Sequence, residues 1–193
     1  MDKSREGITL EKIYQLFRLF PPKNTKTLAR INTFSELDLV EINKGKSLNI
    51  KGIILDVDDC IAEDHKEILQ KNIDHINKLL SQGFKIAIYS NMEKTSRYDS
   101  LDKRIIILTN LPEKPSLKGF KTALKALDLN ANETVMVGDN YMTDGGAIRE
   151  GIHFIKVKPI KSKYQGFPYR QKMAINGFLR SFYNGLSRFY EIW

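Results

Sequence analysis

The chain has 193 residues, enough for one domain with a substantial core, and its 41% hydrophobic and 28% charged residues exclude a disordered protein. No apolar run approaches the ~20 residues of a membrane span, and we expect no signal peptide because the charged residues 1–7 lead into no apolar core. A single cysteine, Cys60, excludes an internal disulfide and predicts a reducing, cytoplasm-like compartment.

The positive charge is concentrated at one end of the chain. Residues 156–193 contain eight basic residues and one acidic residue, or +7 of the total net charge of +8. The other 155 residues contain 23 basic and 22 acidic residues. A basic tail of this kind favours contact with an anionic surface, which we expect to be lipid head groups rather than nucleic acid.

The first predicted helix covers residues 10–20, where apolar side chains recur at helical spacing until Pro21 and Pro22 end it. This helix either packs on its own domain or lies on a membrane surface. Residues 23–50 are weakly periodic and predict a short helix or an irregular segment.

From residue 52 onwards, short apolar runs alternate with amphipathic segments. Strands are predicted over residues 52–56, 85–90, 104–108, 134–137 and 154–157. Helices are predicted over residues 66–82 and from Pro115, since proline favours the first helical position. This alternation predicts an α/β fold with a Rossmann-like parallel sheet of about five strands flanked by helices.

Reactive side chains follow the predicted strands. They are Asp56 and Asp58 after the first, Ser90 after the second, Lys114 after the third, and Asp139 and Asp144 after the fourth. Because parallel strands end at one edge of a sheet, we expect these groups to converge. Crowded carboxylates are unfavourable without a cation. Carboxylates, a hydroxyl and an ammonium together suit phosphoryl transfer from a phosphomonoester.

In their order along the chain, these motifs resemble those of the haloacid dehalogenase (HAD) superfamily of phosphatases. Lys114-Pro115 with Lys118, and Gly138-Asp139 with Thr143-Asp144, are similar to the capless subclass IIIA and to its YqeG-like branch. That branch includes mitochondrial-type phosphatidylglycerophosphate phosphatases. The resemblance covers residues 50–160.

The resemblance implies catalytic roles for four residues. Asp56 would be the nucleophile that forms an aspartyl-phosphate, and Asp58 the general acid that then activates water. Ser90 would hydrogen-bond the phosphoryl group, and Lys114 would neutralise the phosphate and the nucleophile. Asn91 either assists Ser90 and Lys114 in phosphate binding or caps a turn.

The resemblance also implies Mg²⁺ as the cofactor, held by Asp56, Asp58, Asp139 and Asp144. Asp58 would contribute its backbone carbonyl and Asp139 its carboxylate, whereas Asp144 would either bind through water or orient Lys114. Oxygen ligands together with water are what Mg²⁺ prefers.

Two residues of the first motif depart from the usual pattern of these families. Cys60 stands where the superfamily usually has threonine or valine, and its thiol is expected to be a buried packing group. Asp59 stands where the branch usually has asparagine. Its carboxylate would either tighten cation binding or raise a neighbour's pKa, or would point to solvent without effect.

Three segments are therefore predicted: a helical lead-in over residues 1–48, the HAD-like core over 49–160, and a basic aromatic helical extension over 161–193. The extension either closes the core or lies at a membrane interface. The predicted function is a Mg²⁺-dependent phosphatase of phosphatidylglycerophosphate at a membrane surface. The alternatives are a phosphatase of a small soluble phosphomonoester and a non-catalytic protein that binds RNA or the ribosome. The predicted location is cytoplasmic, including the inner face of a membrane.

Overall fold

The computed structural model of the chain describes residues 27–63, 66–92 and 95–160. The helix predicted over residues 10–20 and the extension predicted over 161–193 lie outside the described residues, and the division of the chain into three segments stays a prediction. Among the described helices, none is long and apolar enough to cross a membrane.

Strands and helices alternate through most of the described chain. The strands are Thr27–Ile31 (β1), Gly52–Leu55 (β2), Lys85–Ile88 (β3), Ile106–Ile107 (β4), Thr134–Gly138 (β5) and His153–Val157 (β6). The α-helices are Leu39–Lys46 (α1), Gln70–Ser81 (α2), Leu117–Leu127 (α3) and Gly146–Arg149 (α4). Short 3-10 helices occupy Phe34–Glu36, Ser96–Tyr98 and Ala131–Glu133.

The six strands form one parallel sheet in the order β1-β6-β5-β2-β3-β4. After β2 the chain moves outward on one side to β3 and β4, and it then returns to place β5 on the other side of β2. Such a reversal opens a crevice beyond the carboxyl ends of the strands, which is where ligands bind in open α/β sheets. The predicted α/β class with a Rossmann-like parallel sheet is confirmed.

Helices cover both faces of the sheet. Ile53 and Leu55 of β2 belong to the apolar layer under α2, whereas Ile54 belongs to the layer that includes Phe120 and Leu127 of α3. This alternation follows from the twofold side-chain period of a strand, and burial on both faces explains why the central strands read as continuous apolar runs.

Three predictions about elements need correction. Residues 27–31 form an edge strand paired with β6, so the sheet has six strands rather than about five, and these residues are not part of a helical lead-in. Helix α2 begins at Gln70 rather than at residue 66, because Ile68 forms a β-bridge with Ala62. Helix α3 begins at Leu117 after the N-cap Ser116, so Pro115 precedes the helix instead of opening it.

Candidate active site

The three central strands bring their polar residues together at one edge of the sheet. Asp56 follows β2 directly, and Asp139 follows the adjacent β5 directly. The backbone N–H of Asp56 donates to the carbonyl of Val137 at 2.9 Å, which extends the pairing of the two strands to the point where both carboxylates begin. Ser90 lies two residues beyond β3, on the other side of Asp56. The predicted convergence of these residues is therefore what the fold produces.

A buried lysine links two of the carboxylates. Lys114 Nζ lies 2.6 Å from Asp56 Oδ1 and 2.6 Å from Asp144 Oδ1, and Lys114 is only 1% exposed. Burial by itself opposes the charged form of the lysine, but the carboxylates of Asp144 and Asp56 outweigh it and raise the pKa of Lys114. Lys114 is therefore a permanent cation beside Asp56. Of the two roles left open for Asp144, orienting Lys114 agrees with this contact.

One lysine cannot balance the negative charge around it. Asp56, Asp139 and Asp144 each offer a carboxylate oxygen, and these oxygens lie within 4.8 Å of one another. Burial raises the pKa of Asp56 well above its usual range, and the charges of Asp144 and Asp139 raise it further, although Lys114 partly opposes them. A carboxylate that must be ionised to act as a nucleophile therefore needs another cation nearby. Hard oxygen donors in a small cluster fit Mg²⁺.

Glycine makes room for one member of this cluster. A Cβ atom built on Gly138 would lie 2.2 Å from Asp144 Oδ2, which is closer than any side chain could be accommodated without a shift. The same oxygen accepts a hydrogen bond from the backbone N–H of Asn140 at 3.0 Å. The spacing from Gly138 to Asp144 thus lets the loop fold back so that a carboxylate packs against the end of β5.

Asn91 holds the lysine loop in place. Its side-chain oxygen accepts from the backbone N–H of Lys114 at 2.7 Å, and its side-chain nitrogen donates to the carbonyl of Lys114 at 3.3 Å. The amide of Asn91 therefore binds backbone in the described structure. A role for this residue in binding phosphate stays a prediction, and positioning Lys114 is a function that the sequence did not reveal.

An aromatic ring supports Lys114 from another direction. The ammonium lies 5.8 Å from the ring centroid of Tyr89, and the Tyr89 hydroxyl donates to the carbonyl of Pro112. A Cβ atom on Gly119 would lie 1.9 Å from that hydroxyl. Tyr89 can take this position because residue 119, in the first turn of α3, has no side chain.

Asp58 lies in a different environment from Asp56. Its Oδ1 accepts from Arg97 Nη1 at 2.8 Å, and its Oδ2 accepts from Ser90 Oγ at 3.3 Å. Its carboxylate is not part of the cluster formed by the other three acids. The predicted contact of Asp58 with the metal was through its backbone carbonyl, and that contact stays a prediction.

The two unusual residues of the first motif have ordinary structural explanations. Asp59 has a φ of +58°, in the left-handed region that aspartate and asparagine tolerate better than most residues. An asparagine-to-aspartate replacement therefore keeps the backbone conformation, and Asp59 is not in the carboxylate cluster found among the described residues. Cys60 is fully buried, and burial together with the nearby Asp56 raises the pKa of its thiol. A neutral thiol agrees with a packing role.

Sequence reasoning missed two cations near the site. Arg97 comes from the 3-10 helix Ser96–Tyr98, inside a stretch that reads only as polar. Lys156 lies on β6, is 7% exposed, and donates to the backbone carbonyl of Asp139. Lys156 could have been noticed as a charged residue within the predicted strand 154–157, whereas no periodicity identifies Arg97.

Comparison with known proteins identifies a phosphatase family model and a bacterial phosphatase that are similar to this chain. Residues 10–147 match the family model described as mitochondrial PGP phosphatase. The chain is 31% identical over 121 residues to the "Probable phosphatase YqeG" of Bacillus subtilis, a match that spans 62% of this chain and 70% of that protein.

Two solved structures are also similar to this chain. An uncharacterized protein from Listeria monocytogenes serotype 4b is 22% identical, with a TM-score of 0.46 over 62% of this chain and 88% of that chain. An uncharacterized protein from Corynebacterium glutamicum is 21% identical, with a TM-score of 0.44 over 66% of this chain and 93% of that chain.

Proposed function

Because the chain belongs to the mitochondrial PGP phosphatase family, and is thus a HAD-type phosphatase, we propose that it hydrolyses phosphatidylglycerophosphate with Mg²⁺ at a membrane surface. The observation that carries the chemistry is the placement of Asp56 at the end of β2, 2.6 Å from a buried lysine and within a cluster of three carboxylates. A phosphatase acts on a phosphomonoester, and the lipid identity of that ester is the finer part of the proposal.

In the first step, a carboxylate oxygen of Asp56 attacks the phosphorus atom. The bond between phosphorus and the ester oxygen breaks, and its electron pair leaves with that oxygen, which takes a proton from Asp58. Lys114 stabilises the negative charge on the phosphoryl oxygens because its ammonium lies beside the attacking group. The Ser90 hydroxyl, which lies 3.3 Å from Asp58 Oδ2, would hydrogen-bond the same phosphoryl group.

In the second step, water attacks the phosphorus atom of the aspartyl-phosphate. Asp58, now a carboxylate, accepts a proton from that water, and the bond between phosphorus and Asp56 breaks to release inorganic phosphate. One residue thus serves as acid and then as base, which returns the site to its starting protonation.

Asp56 and Asp139 would hold Mg²⁺ through their carboxylates and Asp58 through its backbone carbonyl, while Asp144 would bind the ion through water or orient Lys114. When bound, the ion would supply positive charge beside the phosphoryl oxygens and would favour the ionised form of Asp56. The surplus of carboxylates over ammonium groups, and the raised pKa of Asp56, are what support this assignment.

Two features support a lipid-linked substrate. Among the described residues between β2 and β3, α2 is the one α-helix and there is no additional domain that would cover the site. A head group could therefore enter while its acyl chains remain in the bilayer. The basic residues of 156–193, with aromatic side chains between them, suit an anionic membrane surface.

The test is release of inorganic phosphate from phosphatidylglycerophosphate in mixed vesicles, compared with soluble sugar and nucleotide phosphomonoesters. We expect the lipid to have the highest kcat/KM, with activity lost on chelation and restored by Mg²⁺. Asp56→Asn should lower the rate on the order of 10³-fold or more, because it removes the nucleophile. Asp59→Asn makes the same chemical change three residues later, outside the cluster, and should stay within about twofold of wild type.

Preference for a soluble ester would reject the lipid assignment but keep the phosphatase, whereas equal rates for wild type and Asp56→Asn would reject the mechanism itself. Binding to RNA without phosphatase activity would favour the non-catalytic alternative.

Membrane contact is tested separately by co-sedimentation with anionic vesicles. Glutamine at Arg170, Lys172, Arg180 and Arg188 should release the protein into the supernatant. The matched control places glutamine at four exposed lysines of helices α1 and α2, Lys44, Lys46, Lys71 and Lys78. It removes the same amount of charge and should still sediment. Loss of sedimentation in both variants would indicate dependence on net charge and not on the tail.

A further inference from the structure

Arg97 is a buried arginine beside the proposed general acid. Its side chain is completely buried, whereas the side chain of Asp58 is 16% exposed. Nη1 donates to Asp58 Oδ1 at 2.8 Å and also contacts Met92 Sδ at 2.9 Å. Nε and Nη2 are buried, and within the described part of the chain they have no hydrogen-bond partner. Leaving donors of a charged group unsatisfied is costly.

A buried ion pair is seldom the most stable solution for a core. Apolar side chains of similar size often serve stability as well or better. The only carboxylate that Arg97 pairs with among the described residues is the one expected to transfer protons. Arg97 is buried with unsatisfied donors and is paired with the proposed general acid Asp58. This combination indicates a role in the reaction more than in folding.

We propose that Arg97 is a positioning residue that fixes the general acid and base Asp58 for proton transfer to the leaving group. The inference rests on the proposed function, since it requires the two-step reaction at Asp56. Arg97 donates to Oδ1 of Asp58, which leaves Oδ2, the oxygen that accepts from Ser90 Oγ in this structure, as the one that would exchange the proton with the leaving group. Because its side chain has no exposed surface, Arg97 acts through Asp58 and does not contact substrate.

This role has a chemical consequence that a structural role lacks. When the bond between phosphorus and the ester oxygen breaks, a poor leaving group needs the proton of Asp58, whereas a good leaving group departs as a stable anion without it. A misplaced Asp58 therefore slows the first step for poor leaving groups selectively. The ratio kcat/KM reports that step even where hydrolysis of the aspartyl-phosphate limits kcat.

The experiment compares phenyl phosphate, which has a poor leaving group, with 2,4-dinitrophenyl phosphate, which has a good one, using the full chain and Mg²⁺. Arg97→Met should lower kcat/KM for phenyl phosphate by about 10- to 100-fold and for the dinitrophenyl ester by less than about threefold. Equal losses on both esters, or no loss on phenyl phosphate, would overturn the proposal.

A double variant tests whether Arg97 acts through Asp58. Asp58→Asn should show the same dependence on the leaving group, and adding Arg97→Met to it should change kcat/KM for phenyl phosphate by less than about threefold, because the residue being positioned is already absent. A further loss as large as that of Arg97→Met alone would show that Arg97 acts elsewhere. Arg104→Met is the matched control, since Arg104 pairs with Asp102 at the surface, and it should match wild type on both esters.

If Arg97→Met does not fold, Arg97→Lys takes its place. Lysine keeps the charge but not the planar fork, so a loss confined to phenyl phosphate is still expected and wild-type kinetics would contradict the proposal. The proposed function is judged independently, by whether wild type hydrolyses the dinitrophenyl ester and Asp56→Asn does not.

Discussion

Two buried ion groups lie at the carboxyl end of this sheet, and they differ in their balance of charge. In the nucleophile group, Lys114 pairs with Asp56 and Asp144, whose carboxylates cluster with that of Asp139. In the acid group, Arg97 pairs with Asp58, the one carboxylate that it contacts in the described part of the chain. The first group has more carboxylates than ammonium groups, a surplus that a divalent cation would neutralise, whereas the second pairs one arginine with the carboxyl group proposed to transfer a proton. The comparison teaches that one edge of a sheet can hold a charge surplus suited to a metal beside an arginine–aspartate pair that fixes a side chain.

The largest effect should come from removing the lysine. Lys114→Met leaves buried Asp56 and Asp144 without their ammonium partner, and we expect it to lower the free energy of unfolding by about 3–5 kcal/mol without Mg²⁺. Urea denaturation measures the change. Saturating Mg²⁺ should restore part of the loss, because it supplies the missing positive charge.

The comparison between the groups requires that Mg²⁺ stabilise Arg97→Met only as much as it stabilises wild type, so that the difference between these two proteins stays the same. Lys121→Met is the control, since Lys121 is 68% exposed and lies 3.9 Å from Glu150, and its effect should be below about 0.5 kcal/mol. If Mg²⁺ stabilised Lys114→Met no more than it stabilised wild type and Arg97→Met, the two groups would not differ as described.

The next effect is the stabilisation of the wild-type protein by Mg²⁺. At a concentration 100 times the dissociation constant, binding should add about 2.7 kcal/mol to the free energy of unfolding, and a thermal melt would record the rise in Tm. Asp139→Asn should abolish most of this rise, because it removes one of the three clustered carboxylates. Asp59→Asn should preserve it. A rise unaffected by Asp139→Asn would place the ion elsewhere.

A methyl group at Gly138 should disturb the nucleophile group by displacing the carboxylate of Asp144. Gly138→Ala would put a Cβ atom 2.2 Å from Asp144 Oδ2, so we expect Asp144 to shift away from Lys114 at a cost of about 1–3 kcal/mol. Phosphatase activity should fall with it. Gly45→Ala is the matched control, because nothing lies within 4 Å of its Cβ in α1. Gly45→Ala should be more stable than wild type by about 0.5–1 kcal/mol. If Gly138→Ala and Gly45→Ala were destabilised to the same extent, the loss in Gly138→Ala would not come from a specific clash with Asp144.

The smallest effect should come from a titratable group remote from both ion groups. Burial lowers the pKa of His75 below its ordinary 6.5, although the hydrogen bond from Nε2 to the carbonyl of Leu37 opposes this. The unfolded chain therefore takes up a proton more readily, and stability should fall as the pH drops below about 6.5. Urea midpoints at pH 7.5 and 5.5 would show the fall. His75→Gln should reduce it, and an unchanged pH dependence would assign it to other groups.

The central strands could be predicted because burial on both faces makes them apolar throughout. Residues 53–55 and 135–137 are fully buried, and the polar residues that follow them stand out clearly. The two edge strands differ in this respect. The strand Ile106–Ile107 (β4) lies within the predicted strand 104–108, although it has only two residues, whereas β1 was missed because the exposed Arg30 interrupts its apolar pattern.

The site could be predicted wherever a reactive residue directly follows a strand. Asp56 and Asp139 are of this kind, and the topology alone brings them together. Arg97 could not be predicted, because its partner Asp58 is 39 residues away and the short 3-10 helix that carries Arg97 has no recognisable sequence pattern. The role of Asn91 was missed for a similar reason, since its partner, the backbone of Lys114, is 23 residues away.

The paired bonds between Asn91 and Lys114 have a consequence for redesign of this enzyme. They join the loop after β3 to the loop after β4, so that a change in the backbone of one loop would displace the other. A library of variants designed to accept new substrates should therefore keep positions 91 and 114 constant. It should vary Met92 and Thr95, which follow Asn91 in the same loop. Grafting only one of these loops into a related scaffold would lose the two hydrogen bonds that hold it to the other loop.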